Sequence, residues 1–165
     1  MSLKQKIQED LNRALKKRES VRVGTLRLLL AAMVNKEKES IRQVQEKDKE
    51  LSDEEIQGVL ITEAKKRREA KEAFEKGGRQ ELADKEKAEL EVLLKYLPEQ
   101  LTEDEIRQLV KEAILSLREI SRREKKTEDI SIKDMGKVMA ELAPLVKGKA
   151  DGAIVSNMVK EFLAQ

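Results

Sequence analysis

Apolar residues recur every three or four positions in most of this chain, with charged residues filling the gaps. That is the period of a helix with one buried face, not the alternation of a half-buried strand. Leu3, Ile7, Leu11 and Leu15 form a first stripe, interrupted at Arg18-Glu19-Ser20. A second helix is expected from about Val21 into the forties, burying Leu26, Leu29, Leu30, Met33 and Val34. Gly24 lies inside it at a cost of about 1 kcal/mol relative to alanine, which either close packing or a kink would explain. Ser52-Asp53-Glu54-Glu55 has the form of a capping box, opening a third helix with Ile56, Val59, Leu60 and Phe74 inward. Pairs at i,i+4 such as Glu63–Arg67 and Glu72–Lys76 are expected along it. Gly77-Gly78 stops that helix. A fourth follows, inward through Leu82, Leu90, Leu93, Leu94 and Leu97, and Pro98 ends the segment.

The pattern restarts beyond Pro98. Thr102-Glu103-Asp104-Glu105 is a second capping box, ahead of Ile106, Leu109, Val110, Ala113, Ile114 and Leu117. Ser121 to Glu128 is charged without apolar period and reads as a loop or frayed helix end. Ser131 or Asp134 can cap a sixth helix with Met135, Val138, Met139 and Leu142, which bends or ends near Pro144. Lys147-Gly148-Lys149-Ala150 reads as a turn. Asp151 is a suitable N-cap for a last helix burying Ile154, Val155, Met158, Val159 and Phe162. The expected fold is all-α, with a four-helix bundle over residues 1–98 and a three-helix bundle over residues 99–165.

Composition supports the class and narrows the chemistry. Charged residues make up 41% of the chain and aromatics 2%, while hydrophobics at 39% suffice for cores if they sit on faces. The 35 basic and 33 acidic side chains leave a net charge of +2, so any binding of nucleic acid must come from a local patch. The chain has no cysteine and no histidine. That removes thiolate nucleophiles, the commonest neutral-pH acid/base and the usual transition-metal ligands. No phosphate-binding GxxxxGK[ST] loop or GxGxxG turn occurs. An enzyme is therefore not expected, nor a cofactor or metal. The opening MSLKQKIQEDL is too polar for a signal peptide, and the longest apolar stretch, Leu28 to Val34, is short of a membrane span. The expectation is a cytoplasmic protein without a membrane partner.

Lys65-Lys66-Arg67-Arg68, with Arg79 beyond the glycines, invites a reading as an RNA contact. Interleaved Glu63, Glu69, Glu72 and Glu75 instead make it a solvated helix face. Arg18, Arg22 and Arg27 are open to the same two readings. Glu54-Glu55 and Glu103 to Glu105 lie in first helical turns, where they favour the helix dipole rather than catalysis. Asp134-Met135-Gly136-Lys137-Val138-Met139 followed by Gly148-Lys149-Ala150-Asp151-Gly152 is more specific. Its glycines either let two short helices cross closely, or let a polynucleotide backbone approach Lys137 and Lys149. On physics alone, packing is the preferred account, and Asp151 as N-cap opposes an anion at its own position.

Those two motifs, with Tyr96-Leu97-Pro98-Glu99-Gln100-Leu101, resemble the YqeY family. Leu26-Arg27-Leu28-Leu29 with Asn35, Leu51-Ser52-Asp53-Glu54-Glu55 and Phe74-Glu75-Lys76-Gly77-Gly78-Arg79 extend the resemblance through the first half. The C-terminal part is similar to the tail domain of GatB, the tRNA-binding subunit of glutamine-dependent tRNA amidotransferases. The resemblance implies a four-helix bundle before a three-helix bundle, tRNA or a protein of tRNA metabolism as partner, and a label of carbon–nitrogen ligase with glutamine as amido donor. The large catalytic domain that carries that chemistry has no counterpart in this chain, so the ligase activity is not expected of it. Lys137 and Lys149 match tail positions and are the expected nucleic-acid contacts, with Gly136 and Gly148 as enabling positions. The chain departs from such tails at Ala140, where lysine is usual, and at Asp151-Gly152, where Asn-Pro is usual.

Overall fold

The computed structural model describes residues 1–44, 50–124 and 130–164. Among these the chain forms seven α-helices, one 3-10 turn and no strand, so the protein is all-α. It divides into two compact units, Met1–Pro98 and Glu99–Gln165.

Unit 1 contains α1 (Leu3–Lys17), α2 (Ser20–Val44), α3 (Asp53–Lys76) and α4 (Gln80–Leu94). Local signals set most of their ends. Ser2 with Gln5, and Ser52 with Glu55, each form a reciprocal capping box, so that the first-turn amides are satisfied by side chains. Asp53 also accepts from the Leu3 backbone N–H at 3.0 Å, which pins the start of α1 to the start of α3. Past the end of α3, Arg79 N–H reaches Phe74 C=O and Gly78 N–H reaches Glu75 C=O. This Schellman pattern needs a left-handed residue, and Gly78 supplies it at φ 69°. The same pattern closes α1 with an arginine in the left-handed position, Arg18 at φ 58°.

The four helices enclose one core in which Ile7, Leu26, Leu29, Met33, Ile56, Leu60 and Leu93 are almost fully buried. Each such side chain stabilises the fold by about 1.5–3 kcal/mol relative to exposure. Sequence periodicity misplaced some edges of these faces. Leu15 is exposed and Ala14 is buried in its stead; Val34 is exposed as well. Three turns of helix drift away from a strict four-residue spacing, so the stripe's last member rotates out. Gly24 is also exposed, with no atom within 4 Å of where a Cβ would stand, so internal packing does not require it. The expected Glu63–Arg67 pair is not formed. Glu63 pairs with Lys66 at 2.7 Å, and Arg67 crosses to α4, 2.9 Å from Glu89 and 3.7 Å from Glu86. Crossing suits Arg67 because Glu89 is nearly buried and has to be neutralised.

Unit 2 contains α5 (Glu103–Arg123), a 3-10 turn (Ile132–Asp134), α6 (Met135–Val146) and α7 (Gly152–Leu163). The Thr102–Glu105 capping box opens α5 as the sequence predicts. The accepted hydrogen bonds hold the Glu105 carboxyl below its ordinary range. The helix continues through Ser121–Arg123, which the sequence reading assigned to a loop or frayed end. Good helix formers and a basic last turn sustain it without an apolar stripe. Lys125 to Glu128 of that stretch lie outside the described residues. Val110, Val138, Leu142, Val155 and Val159 are fully buried between the three helices. Ile154 is 37% exposed and Leu163 takes the inward position. α6 ends at Val146, two residues past Pro144, close to where the proline predicts.

Candidate nucleic-acid interface

The two C-terminal motifs form the helix pair α6–α7 of unit 2, and the turn between them is held by the start of the unit. Lys149 and Ala150 donate backbone N–H groups to Val146 C=O, closing the turn after α6. Gly148 adopts φ 74°, a left-handed conformation for which glycine is favoured, and is itself buried. Gln100 Nε2 donates to Gly148 C=O, and Leu101 N–H donates to Lys149 C=O, both at 2.7 Å. Gly148 thus serves the turn that presents Lys149, and direct approach to it from outside is closed. The Lys149 side chain itself is exposed.

Lys137 lies in the first turn of α6 and is exposed, but it is not unattached. Its Nζ donates to Asp134 Oδ1 at 2.8 Å, and this hydrogen bond raises its pKa. Asp134 uses its other oxygen to accept from Ser131 N–H at 3.1 Å. A phosphate arriving at Lys137 would therefore have to draw the ammonium from a carboxylate. Gly136 beside it is exposed, with open space where a Cβ would be. Among the described residues nothing lies within 4 Å of that point, so close helix packing, the account preferred from sequence, does not explain this glycine. Lys137 and Lys149 are not brought together: at 1.5 Å per residue, about 14 Å of helix axis separates Lys137 from the end of α6 alone. They would meet different phosphates of one backbone.

At the other end of the turn, Asp151 accepts from Ala153 N–H at 2.8 Å and occupies the N-terminus of α7. An anion is excluded from that point by charge and by the lost donor.

Sequence reasoning singled out point charges and missed the surface between them. The exposed positions of α6 are Gly136, Lys137, Ala140, Ala143, Pro144 and Leu145, of which only Lys137 is charged. On α7, Gly152, Ala153, Ile154 and Asn157 are exposed and uncharged, with exposed Lys160 and Glu161 one turn further on. Such a face is unusual in a chain that is 41% charged. The signal was available: α6 and α7 carry two charged residues each in twelve. Unit 2 as a whole has 12 basic and 13 acidic residues, so no broad positive field surrounds this face.

The basic run on α3 behaves as a neutralised face. Lys65 pairs with Glu69, Lys66 with Glu63 and Arg67 with the α4 carboxylates. Arg22 is likewise engaged, with Asp10 and Glu19. Among the described residues no cluster of three or more carboxylates is placed to hold a metal ion, and no helix is long and apolar enough to cross a membrane.

No curated protein matches this chain. The agreement comes from a family model instead. Described as Yqey-like protein, it matches residues 4–163. It thus runs through both units, taking in the Ser52–Glu55 and Thr102–Glu105 capping boxes and the α6–α7 pair alike, and the chain belongs to the YqeY family.

Proposed function

We propose that this chain is a non-catalytic, cytoplasmic accessory protein of tRNA metabolism that holds tRNA on the α6–α7 face of unit 2. The observation that carries the reading is the uncharged, small-residue surface of α6, with exposed Lys137 at one end and Lys149 beyond the other. Small side chains allow a sugar–phosphate backbone to come close, and lysines at the margins supply the charge. The resemblance of both motifs to the GatB tail supports tRNA as the polynucleotide. Unit 2 has a near-balanced charge, so binding rests on few phosphate contacts and is weak, with a salt slope set by those few contacts.

Equilibrium binding of tRNA to the full chain over a range of salt concentrations tests this. Replacing Lys137 and Lys149 together by alanine should lower the log–log salt slope by about 1.8 for duplex-like geometry. An unchanged slope and affinity would remove the face from consideration. Incubation with glutamine, ATP and misacylated tRNA should give no amide transfer, and turnover would overturn the non-catalytic part. The second reading is a protein–protein adaptor without an RNA role, favoured by the near balance of 35 basic and 33 acidic residues. A stoichiometric partner retained after nuclease treatment would support it.

A further inference from the structure

Helix α2 carries a second apolar stripe on the side away from the core. Val21 and Leu28 are 44% and 52% exposed, and Gly24 and Ala31 between and beyond them are exposed too. The four recur at i, i+3, i+7 and i+10, the spacing by which one helix seats on another. Gly24 has no internal reason to be glycine, since a Cβ there would meet nothing within 4 Å, and glycine is unfavourable inside a helix. It opens onto a groove of about 550 Å³ between α2 and α4, lined by Val21, Gly24, Arg27, Leu28, Lys85 and Glu89.

The charges of this groove are one-sided. Arg27 and Lys85 are exposed, and among the described residues neither lies within ion-pair distance of a carboxylate. Glu89, the acid in the lining, is committed to Arg67 at 2.9 Å. A second copy of the chain is a poor occupant. No acidic residue occurs between Glu19 and Glu37, so a twofold contact across this stretch of α2 would set Arg27 against Arg27. Nucleic acid would satisfy the cations but leave Val21 and Leu28 against a charged backbone.

We propose that the groove takes an amphipathic helix of a partner protein whose apolar stripe is flanked by Asp or Glu. Its apolar residues cover Val21, Leu28 and Ala31, its backbone comes closest at Gly24, and its carboxylates meet Arg27 and Lys85. This docking is independent of tRNA on unit 2.

The test uses the full chain and fluorescent helix-forming peptides of about fifteen residues with a Leu/Ala stripe at heptad spacing, flanked either by Glu or by Lys. The Glu-flanked peptide should bind at least about tenfold more tightly than the Lys-flanked one at low salt. Gly24→Leu fills the groove and should weaken that binding by about tenfold or more without lowering Tm, because the space at Gly24 is open. Arg27→Glu with Lys85→Glu should reverse the peptide preference. Lys137→Ala with Lys149→Ala should leave peptide binding unchanged, which separates this proposal from the tRNA reading. Equal affinity for the two peptides, no saturation by the Glu-flanked peptide at about 1 mM, or wild-type affinity in Gly24→Leu would overturn it. Displacement of the peptide by tRNA would overturn it too, and assign the groove to nucleic acid.

Discussion

In unit 1, Lys4 reaches Glu37, Arg22 reaches Asp10 and Arg67 reaches Glu89, and each pair joins two different helices. In unit 2 the span from residue 101 to residue 149 is closed by main chain, through Leu101 N–H on Lys149 C=O, with Gln100 beside it on Gly148 C=O. The two units are built from the same highly charged alphabet. One spends part of its charge on joining helices; the other fixes its last turn through the backbone and leaves an uncharged face on α6. Charge content therefore does not decide where a surface is available for binding. What matters is whether the fold consumes the charges internally.

The largest expected effect comes from breaking a cross-helix tie in unit 1. Arg67→Ala leaves Glu89 nearly buried without its partner and should destabilise unit 1 by about 3 kcal/mol. The Arg67 Nε–H is not aligned for a hydrogen bond with either carboxylate, so the tie is mainly Coulombic. Hydrogen exchange checks it: amides around Leu60 should lose protection while those around Val155 keep theirs. A similar loss in both units would show that their stabilities are not separable.

Tyr96 sharpens the same contrast through pH. Burial, then its hydrogen bond to Asp10 and that carboxylate's charge, push the phenol up to about 12 from a usual 10, against the opposing pull of Arg22. The folded state thus retains a proton that the unfolded state gives up. This contribution is fully present below pH 10 and is lost as pH rises through about 12, a change of about 2–3 kcal/mol confined to unit 1. Tyr96 is the only tyrosine and there is no tryptophan, so tyrosinate absorbance reports it directly. A midpoint near 10 in the folded protein would refute the assignment, and Tyr96→Phe should remove this part of the pH dependence.

The smallest pair of effects lies within unit 2. Gly148→Ala forces a side chain into a left-handed, buried position and should cost about 1–2 kcal/mol. Gly136→Ala, at an open helical position, should instead stabilise by about 1 kcal/mol. Thermal unfolding of the two variants should therefore move in opposite directions.

The elements read most easily from sequence were those decided by neighbours a few residues apart. Ser52 with Glu55, Thr102 with Glu105, and Gly77-Gly78 carry their geometry within one turn of chain, so the all-helical class and many helix ends were legible. Faces were less so: Leu15, Val34 and Ile154 fit the helical period, yet the period does not say which neighbour arrives to cover them. Arg67 could be matched to Glu63 on its own helix, whereas its actual partners come from α4. At the candidate site, Lys137 and Lys149 could be named in advance, but the Asp134 hold on Lys137 belongs to the 3-10 turn. The burial of Gly148 involves Gln100, 48 residues away. The open space at Gly136 depends on what fails to pack there, which no local pattern encodes.

The hold of Gln100 and Leu101 on the 148–149 turn has a mechanical consequence. Tension applied at Lys149 passes through two backbone acceptors into residues 100–101 and then along covalent bonds to Pro98. That route enters the chain at Leu101, which packs against the apolar interior just ahead of α5. The turn that would bear a ligand's load is thereby tethered directly to the strand of chain leading into unit 1.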